Sequence, residues 1–198
     1  MGITQKLIEQ CKTPRGLLGR IMLRIMNGAH RGLTVWGLAK VPPCSKVLDV
    51  GCGGGAALSL MAETDRFEHI YGIDISPDAV SLATAKNRRH IETGLVTIMQ
   101  GSVLELPFDD NTFDAATTFQ SHYHWPDIIT AIQEIYRVLK PGGQFVLVAE
   151  IYKIKYHMQE YNNTEQTKIL FEESGFSRVE LSTYQKSIRV AGNKVTSC

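Results

Sequence analysis

The stretch VLDVGCGGG at residues 47–55 runs from apolar residues into a glycine turn and on into a helical pattern. That context lets backbone N–H groups approach a nucleotide-type ligand. Its glycines fit Gly51-x-Gly53-x-Gly55 and equally the relaxed dinucleotide pattern Gly51-x-Gly53-x-x-Ala56, so they leave the cofactor open. Asp49 decides between them, because a carboxylate two residues before the first glycine opposes a pyrophosphate and suits an ammonium group. A positively charged ligand is expected. The second chemical stretch is FQSHYHWP at residues 119–126, dense in side chains that move protons or stack. His122 and His124 are its candidate general bases. A metal on His122-x-His124 would find only Asp127 nearby to complete its ligands, so none is expected.

Positioning these groups requires strands that end at the glycine turn and at Phe119. Apolar runs at 46–50, 69–75, 95–99, 113–119 and 144–151 read as strands, and 56–63, 77–90 and 127–139 carry helical periodicity between them. Ser76 is placed to cap the second of these helices, with Pro77 at its first position. Residues 164–174 predict a last helix ended by Gly175, and 178–183 and 187–191 a closing hairpin. The expected fold is α/β: a doubly wound, Rossmann-like, mostly parallel seven-stranded sheet with an antiparallel C-terminal strand and N-terminal helices. Ahead of the Pro42-Pro43 pair, Leu17, Leu18, Ile21, Met22, Ile25 and Met26 recur at helical spacing, and a second short helix is expected at 33–40. One domain is predicted, with 1–43 as a helical cap and 44–198 as the core. Only about a dozen residues separate the fifth strand from the last helix, which leaves no room for a large lid and makes the N-terminal helices the candidate cover.

The charge is near balance, with 21 Lys and Arg against 20 Asp and Glu, which argues against a nucleic-acid binder. The balance is uneven, since residues 1–48 hold eight basic residues against the single acid Glu9. No apolar run reaches the length of a membrane span, and a cytoplasmic protein is expected. Cys11, Cys44, Cys52 and Cys198 show no CxxC spacing, so they read as reduced thiols.

With these motifs in order, residues 46–150 resemble the class I S-adenosylmethionine-dependent methyltransferases. The resemblance implies S-adenosylmethionine as cofactor, with Asp49, Gly51, Cys52, Gly53 and Gly55 on its methionine part. Asp74, in YGIDIS, matches the acid that holds both ribose hydroxyls, and Ile75 would pack on the adenine face. Ser102 and Val103 match the segment at the adenine edge, although the family usually has Asp where Ser102 stands. LPF at 106–108 and LKPGG at 139–143 match further signatures, the latter as the turn before the fifth strand. Gln120 and Ser121 would lie nearest the sulfonium, with the 120–125 loop facing the methyl acceptor. The loop lacks the Asn/Asp-Pro-Pro-aromatic motif of methylases acting on amino groups of nucleic-acid bases or protein glutamines, so the expected partner is a small-molecule acceptor. The rival readings are an NAD-dependent oxidoreductase and a cofactor-binding module without catalysis.

Overall fold

The computed structural model describes residues 31–196. The amphipathic segment from Leu17 to Met26, Cys11 and Cys198 lie outside the described residues. After helix α1 (Arg31–Leu38) the chain runs β1 (Cys44–Val50), α2 (Ala56–Ala62), β2 (Phe67–Asp74), α3 (Pro77–Lys86), α4 (Arg88–Glu92), β3 (Val96–Gln100) and β4 (Phe113–Phe119). A 3-10 turn (His122–His124) leads to α5 (Ile128–Val138), β5 (Leu139–Glu150), α6 (Ile151–His157), α7 (Thr164–Glu173), β6 (Phe176–Tyr184) and β7 (Ser187–Lys194).

The seven strands form one sheet in the order β3-β2-β1-β4-β5-β7-β6. All neighbours pair in parallel except β7, which is antiparallel to both β5 and β6. This is the expected doubly wound fold with its antiparallel C-terminal strand. A parallel sheet must bury both faces, and alternation along β1 shows it doing so: Leu48 and Val50 join one apolar cluster with Phe113, Ile132 and Phe145, while Val47 joins the other with Leu58, Ile70 and Val146. Strand order reverses between β1 and β4, which opens a crevice beyond their carboxyl ends.

Three expected elements differ in the structure. The helix expected over 77–90 breaks at Asn87, whose buried side-chain Nδ2 donates to the carbonyls of Ala83 (2.9 Å) and Gly55 (3.0 Å). An Asn that bonds backbone carbonyls competes with the helix ladder, and here it also clamps the glycine turn. The LKPGG segment, expected as a turn, is instead the start of β5, accommodated by Gly142 at φ +80° and a register shift between Phe113 and Ala115. Helix α6 takes Ile151, expected to end the fifth strand, and residues 152–157, to which the sequence pattern assigns no element. Its single fully buried side chain is Ile154, so no apolar repeat marks it in the sequence.

Candidate functional site

The glycine turn begins where β1 stops. Gly51 (φ +72°), Gly53 (+52°) and Gly55 (+74°) all occupy the left-handed region, which side chains rarely adopt. Gly51 and Gly55 are also pinned sterically. A Cβ on Gly51 would stand 1.9 Å from the Ser121 Oγ, and one on Gly55 would stand 2.5 Å from the Asn87 amide nitrogen. The turn is therefore wedged between the loop after β4 and helix α3. The N–H groups of Gly51 and Cys52 donate to the Ile73 carbonyl at 2.9 and 3.0 Å, tying the turn to the end of β2.

Two carboxylates flank this turn. Asp49 is 1% exposed and accepts a hydrogen bond from Thr117 Oγ1 on β4 at 2.9 Å. Burial outweighs that bond and, with the nearby Asp74 charge, pushes its pKa up to about 7. Asp74 closes β2 and accepts from the Gly53 N–H (2.8 Å) and the Ser76 N–H (2.9 Å). Burial raises its pKa as well, opposed by the N–H groups of Ser76, Gly53 and Ile75. Ile75 beside it is 60% exposed, a large apolar side chain presented to solvent. Cys52 is buried within the turn, and burial with the two neighbouring carboxylates pushes its thiol well above the usual range. Ser76 caps α3 as expected, accepting from the Ala79 N–H at 3.3 Å.

After β3, the Ser102 hydroxyl accepts from the Leu104 N–H at 3.1 Å, and Val103 packs on the core. Arg137 on α5 anchors the following segment: its guanidinium donates to the Leu106 and Phe108 carbonyls and to Glu134, which in turn accepts from the Leu106 N–H. The Glu134 and Asp110 carboxylates hold Arg137 above its ordinary pKa.

The loop after β4 forms the other wall. Gln120 is buried at φ +58°, its N–H bonded to the Val148 carbonyl at 2.9 Å. Its Oε1 accepts from the Tyr123 hydroxyl (3.1 Å), the Glu150 N–H (3.3 Å) and Lys153 Nζ (3.4 Å). Ser121 Oγ, seated on Gly51, accepts from the Trp125 indole N–H at 3.0 Å. His122 is 1% exposed, with its ring edge-on to Tyr123 and to Trp125. Burial is the main cause of its pKa falling to about 3, with the His124 charge adding to it. His124 is only partly buried and lies 4.8 Å from His157 between ring centroids. His157 stacks on Tyr123 at 5.4 Å.

The structure thus brings Asp49, Gly51, Cys52, Gly53, Gly55, Asp74 and Ile75 together at the ends of β1 and β2. The loop with Gln120, His122 and His124 abuts them through the Ser121–Gly51 contact. Sequence reading missed Thr117, Asn87, Lys153 and His157. An Asn inside a helical pattern was a usable signal for Asn87. Lys153 and His157 lie on α6, which carried none.

The donor set suits a ligand with an ammonium group, a ribose and a flat base: buried carboxylate, second carboxylate, and exposed Ile75 follow in that order around the turn. A family model described as a methyltransferase domain matches residues 48–147. The chain is 38% identical over 109 residues to 24-methylenesterol C-methyltransferase 2 of Arabidopsis thaliana, covering 55% of this chain and 30% of that protein. It is 34% identical over 167 residues to (+)-O-methylkolavelool synthase of Herpetosiphon aurantiacus, covering 77% of this chain and 59% of that one. It therefore spans under a third of the sterol enzyme's length in that match and under two thirds of the other's. The fold is that of a SAM-dependent methyltransferase from Aquifex aeolicus, with a TM-score of 0.71 at 19% identity over 89% of this chain and 98% of that one. By the family-model match over residues 48–147, which spans the glycine turn and strands described above, the chain belongs to the methyltransferase-domain family of class I S-adenosylmethionine-dependent methyltransferases.

Proposed function

We propose that this chain transfers a methyl group to a small, largely apolar molecule, with residues 44–198 as a catalytic core, 1–43 as its helical cap and the cytoplasm as its place of action. The observation that carries the reading is the placement of buried Asp49 near the end of β1 and Asp74 at the end of β2, flanking the glycine turn beside the β1–β4 point where strand order reverses. The relatives' names add support for the acceptor class, one being a sterol C-methyltransferase and the other the synthase of an O-methyl compound.

When bound, S-adenosylmethionine supplies a methyl group activated on a sulfonium. In this reading Asp49 meets the ammonium of the methionine part, and Gly51, Cys52, Gly53 and Gly55 border it with backbone. Asp74 accepts from the ribose hydroxyls with the lone pairs that Gly53 and Ser76 leave open. Ile75 covers one adenine face, Ser102 and Val103 stand at its edge, and Gln120 lies near the sulfur. A pyrophosphate would meet the buried Asp49 at close range, which disfavours a dinucleotide.

In-line methyl transfer needs positioning and exclusion of water, and a base only where the acceptor holds a proton. His122, held neutral with a pKa of about 3, is too weak a base for that task. His124, less buried, takes the role instead. The test is calorimetric titration with S-adenosylmethionine. Wild type binds, and Asp74→Ala weakens binding by about 1.5–3 kcal/mol through loss of charge-assisted hydrogen bonds. Unchanged affinity in a folded variant removes Asp74 from the site. Once a turnover screen yields an acceptor, His124→Ala lowers turnover about a hundredfold with cofactor affinity retained. Wild-type turnover in that variant excludes the base.

A further inference from the structure

The loop after β4 holds buried polar atoms that the fold does not satisfy. Gln120 Oε1 accepts from the Glu150 N–H and from Lys153 Nζ, groups that can only donate. They fix the orientation of the amide and turn Nε2, with its two N–H donors, away from them. That Nε2 is buried and has no hydrogen-bond partner among the described residues. Two residues on, both ring nitrogens of His122 are likewise buried without a partner among the described residues, on a side chain 1% exposed. Tyr123 joins the two, its hydroxyl on Gln120 and its ring 5.3 Å from the His122 ring. Orphaned donors and acceptors of this kind are rare and costly in native proteins, and they concentrate where a ligand completes them.

We propose that Gln120 and His122 form a neutral hydrogen-bonding pair that holds an uncharged hydroxyl of the methyl acceptor, an alcohol, phenol or enol on an apolar body. The inference rests on the methyltransferase reading and names the substrate class of that site. A hydroxyl oxygen accepts from Gln120 Nε2, and its proton is donated to the bare nitrogen of a neutral imidazole, so this hydroxyl orients the acceptor and is distinct from the group whose proton His124 removes. The groups facing the pair disfavour charged ligands. Lys153, which shares Gln120 Oε1, repels a cation, yet it is already paired with Glu150 at 2.7 Å and so offers little to an anion. Burial keeps the His122 ring neutral, and a positive charge on His124, which is itself in ring contact with His157, opposes its protonation further. Tyr123 and Trp125, both against the His122 ring, supply aromatic surface for the apolar body.

The test titrates the full chain, saturated with S-adenosylhomocysteine at pH 7, with four probes on one skeleton: 2-naphthol, naphthalene, 2-naphthoate and 2-naphthylmethylammonium. Naphthol is expected to bind at least about tenfold tighter than each of the others, the scale of one good hydrogen bond to a buried partner. Gln120→Glu keeps the acceptor contacts of Oε1 and replaces the Nε2 donors with a second acceptor oxygen, whose charge faces Lys153; it should erase most of that advantage, as should the charge-neutral His122→Phe. In the ligand-free protein His122→Phe should raise the thermal midpoint, because it removes two unsatisfied buried nitrogens. A fall in that midpoint contradicts the orphaned state of the ring. Naphthol binding no tighter than naphthalene, a preference for a charged probe, or no probe binding overturns the inference while S-adenosylhomocysteine binding stands. Failure of S-adenosylhomocysteine to bind wild type overturns the methyltransferase reading and this inference with it.

Discussion

From Asp49 to Ser76 the polar groups are held by partners fixed nearby: Gly53 and Ser76 N–H groups on Asp74, Thr117 on Asp49, the Ile73 carbonyl under Gly51 and Cys52. From Gln120 to His124 the opposite holds. Beyond the backbone bonds of Gln120 and His124, contacts there run through side chains and reach to α6 some thirty residues away, and among the described residues they leave Gln120 Nε2 and both His122 nitrogens unsatisfied. In the function proposed above, the first wall is preorganised for a cofactor that does not vary, and the second is completed by the acceptor that enters.

The contrast is broken most severely at Gly53. Its φ of +52° excludes a β-branched residue, and its N–H anchors Asp74. Gly53→Val should abolish binding of S-adenosylhomocysteine, an affinity loss beyond about a hundredfold, while circular dichroism still shows a folded α/β protein. Retained binding would separate the turn from the cofactor.

A pH series on the same wall gives the next largest effect. Asp49 in the free protein has a pKa of about 7, so above that pH an ammonium meets a formed carboxylate, and below it binding must expel a proton. Cofactor affinity should therefore fall by up to about tenfold per unit as pH drops from about 7 toward 5, and Asp49→Asn should flatten the profile. Stability without ligand moves the other way. The folded pKa stands above the unfolded value of 3.8, so the native state holds a proton the unfolded chain has lost, and Asp49 costs more stability as pH rises from about 4 to about 7. Ligand-free Asp49→Asn should consequently melt higher than wild type at pH 8. An unchanged melt would mean the carboxyl is better solvated than its burial indicates.

A smaller effect is expected at Ser102, where the family usually has Asp. In Ser102→Asp one oxygen can keep the Leu104 N–H bond and the other remains free to accept from the adenine amino group. Affinity should rise by about 0.5–1.5 kcal/mol, the net worth of one hydrogen bond. No gain in calorimetry would place the adenine edge elsewhere.

The same division explains what could be read from the sequence. The glycine turn, Asp49 and Asp74 announce themselves because left-handed backbone demands glycine and because strand, turn and helix follow one another along the chain. The sheet was equally legible, since each buried strand is a local apolar run. The second wall was only half visible. FQSHYHWP stood out by composition, but α6 buries a single residue fully and so carries no periodic signal, and its Lys153 and His157 reach the loop only through the fold. The break at Asn87 was signalled by residue type alone. Its cause is a carbonyl of the glycine turn, 32 residues away in sequence.

Hydrogen–deuterium exchange with and without S-adenosylhomocysteine tests the division of labour most directly, because it needs no variant and reads both walls at once. The expected result is strong added protection of peptides spanning 49–56, 74–79 and 100–104, with weaker protection across 120–125 that grows only when an acceptor-side ligand is added. Protection confined to other segments, or none at saturating ligand, would contradict the placement of the cofactor at the ends of β1 and β2.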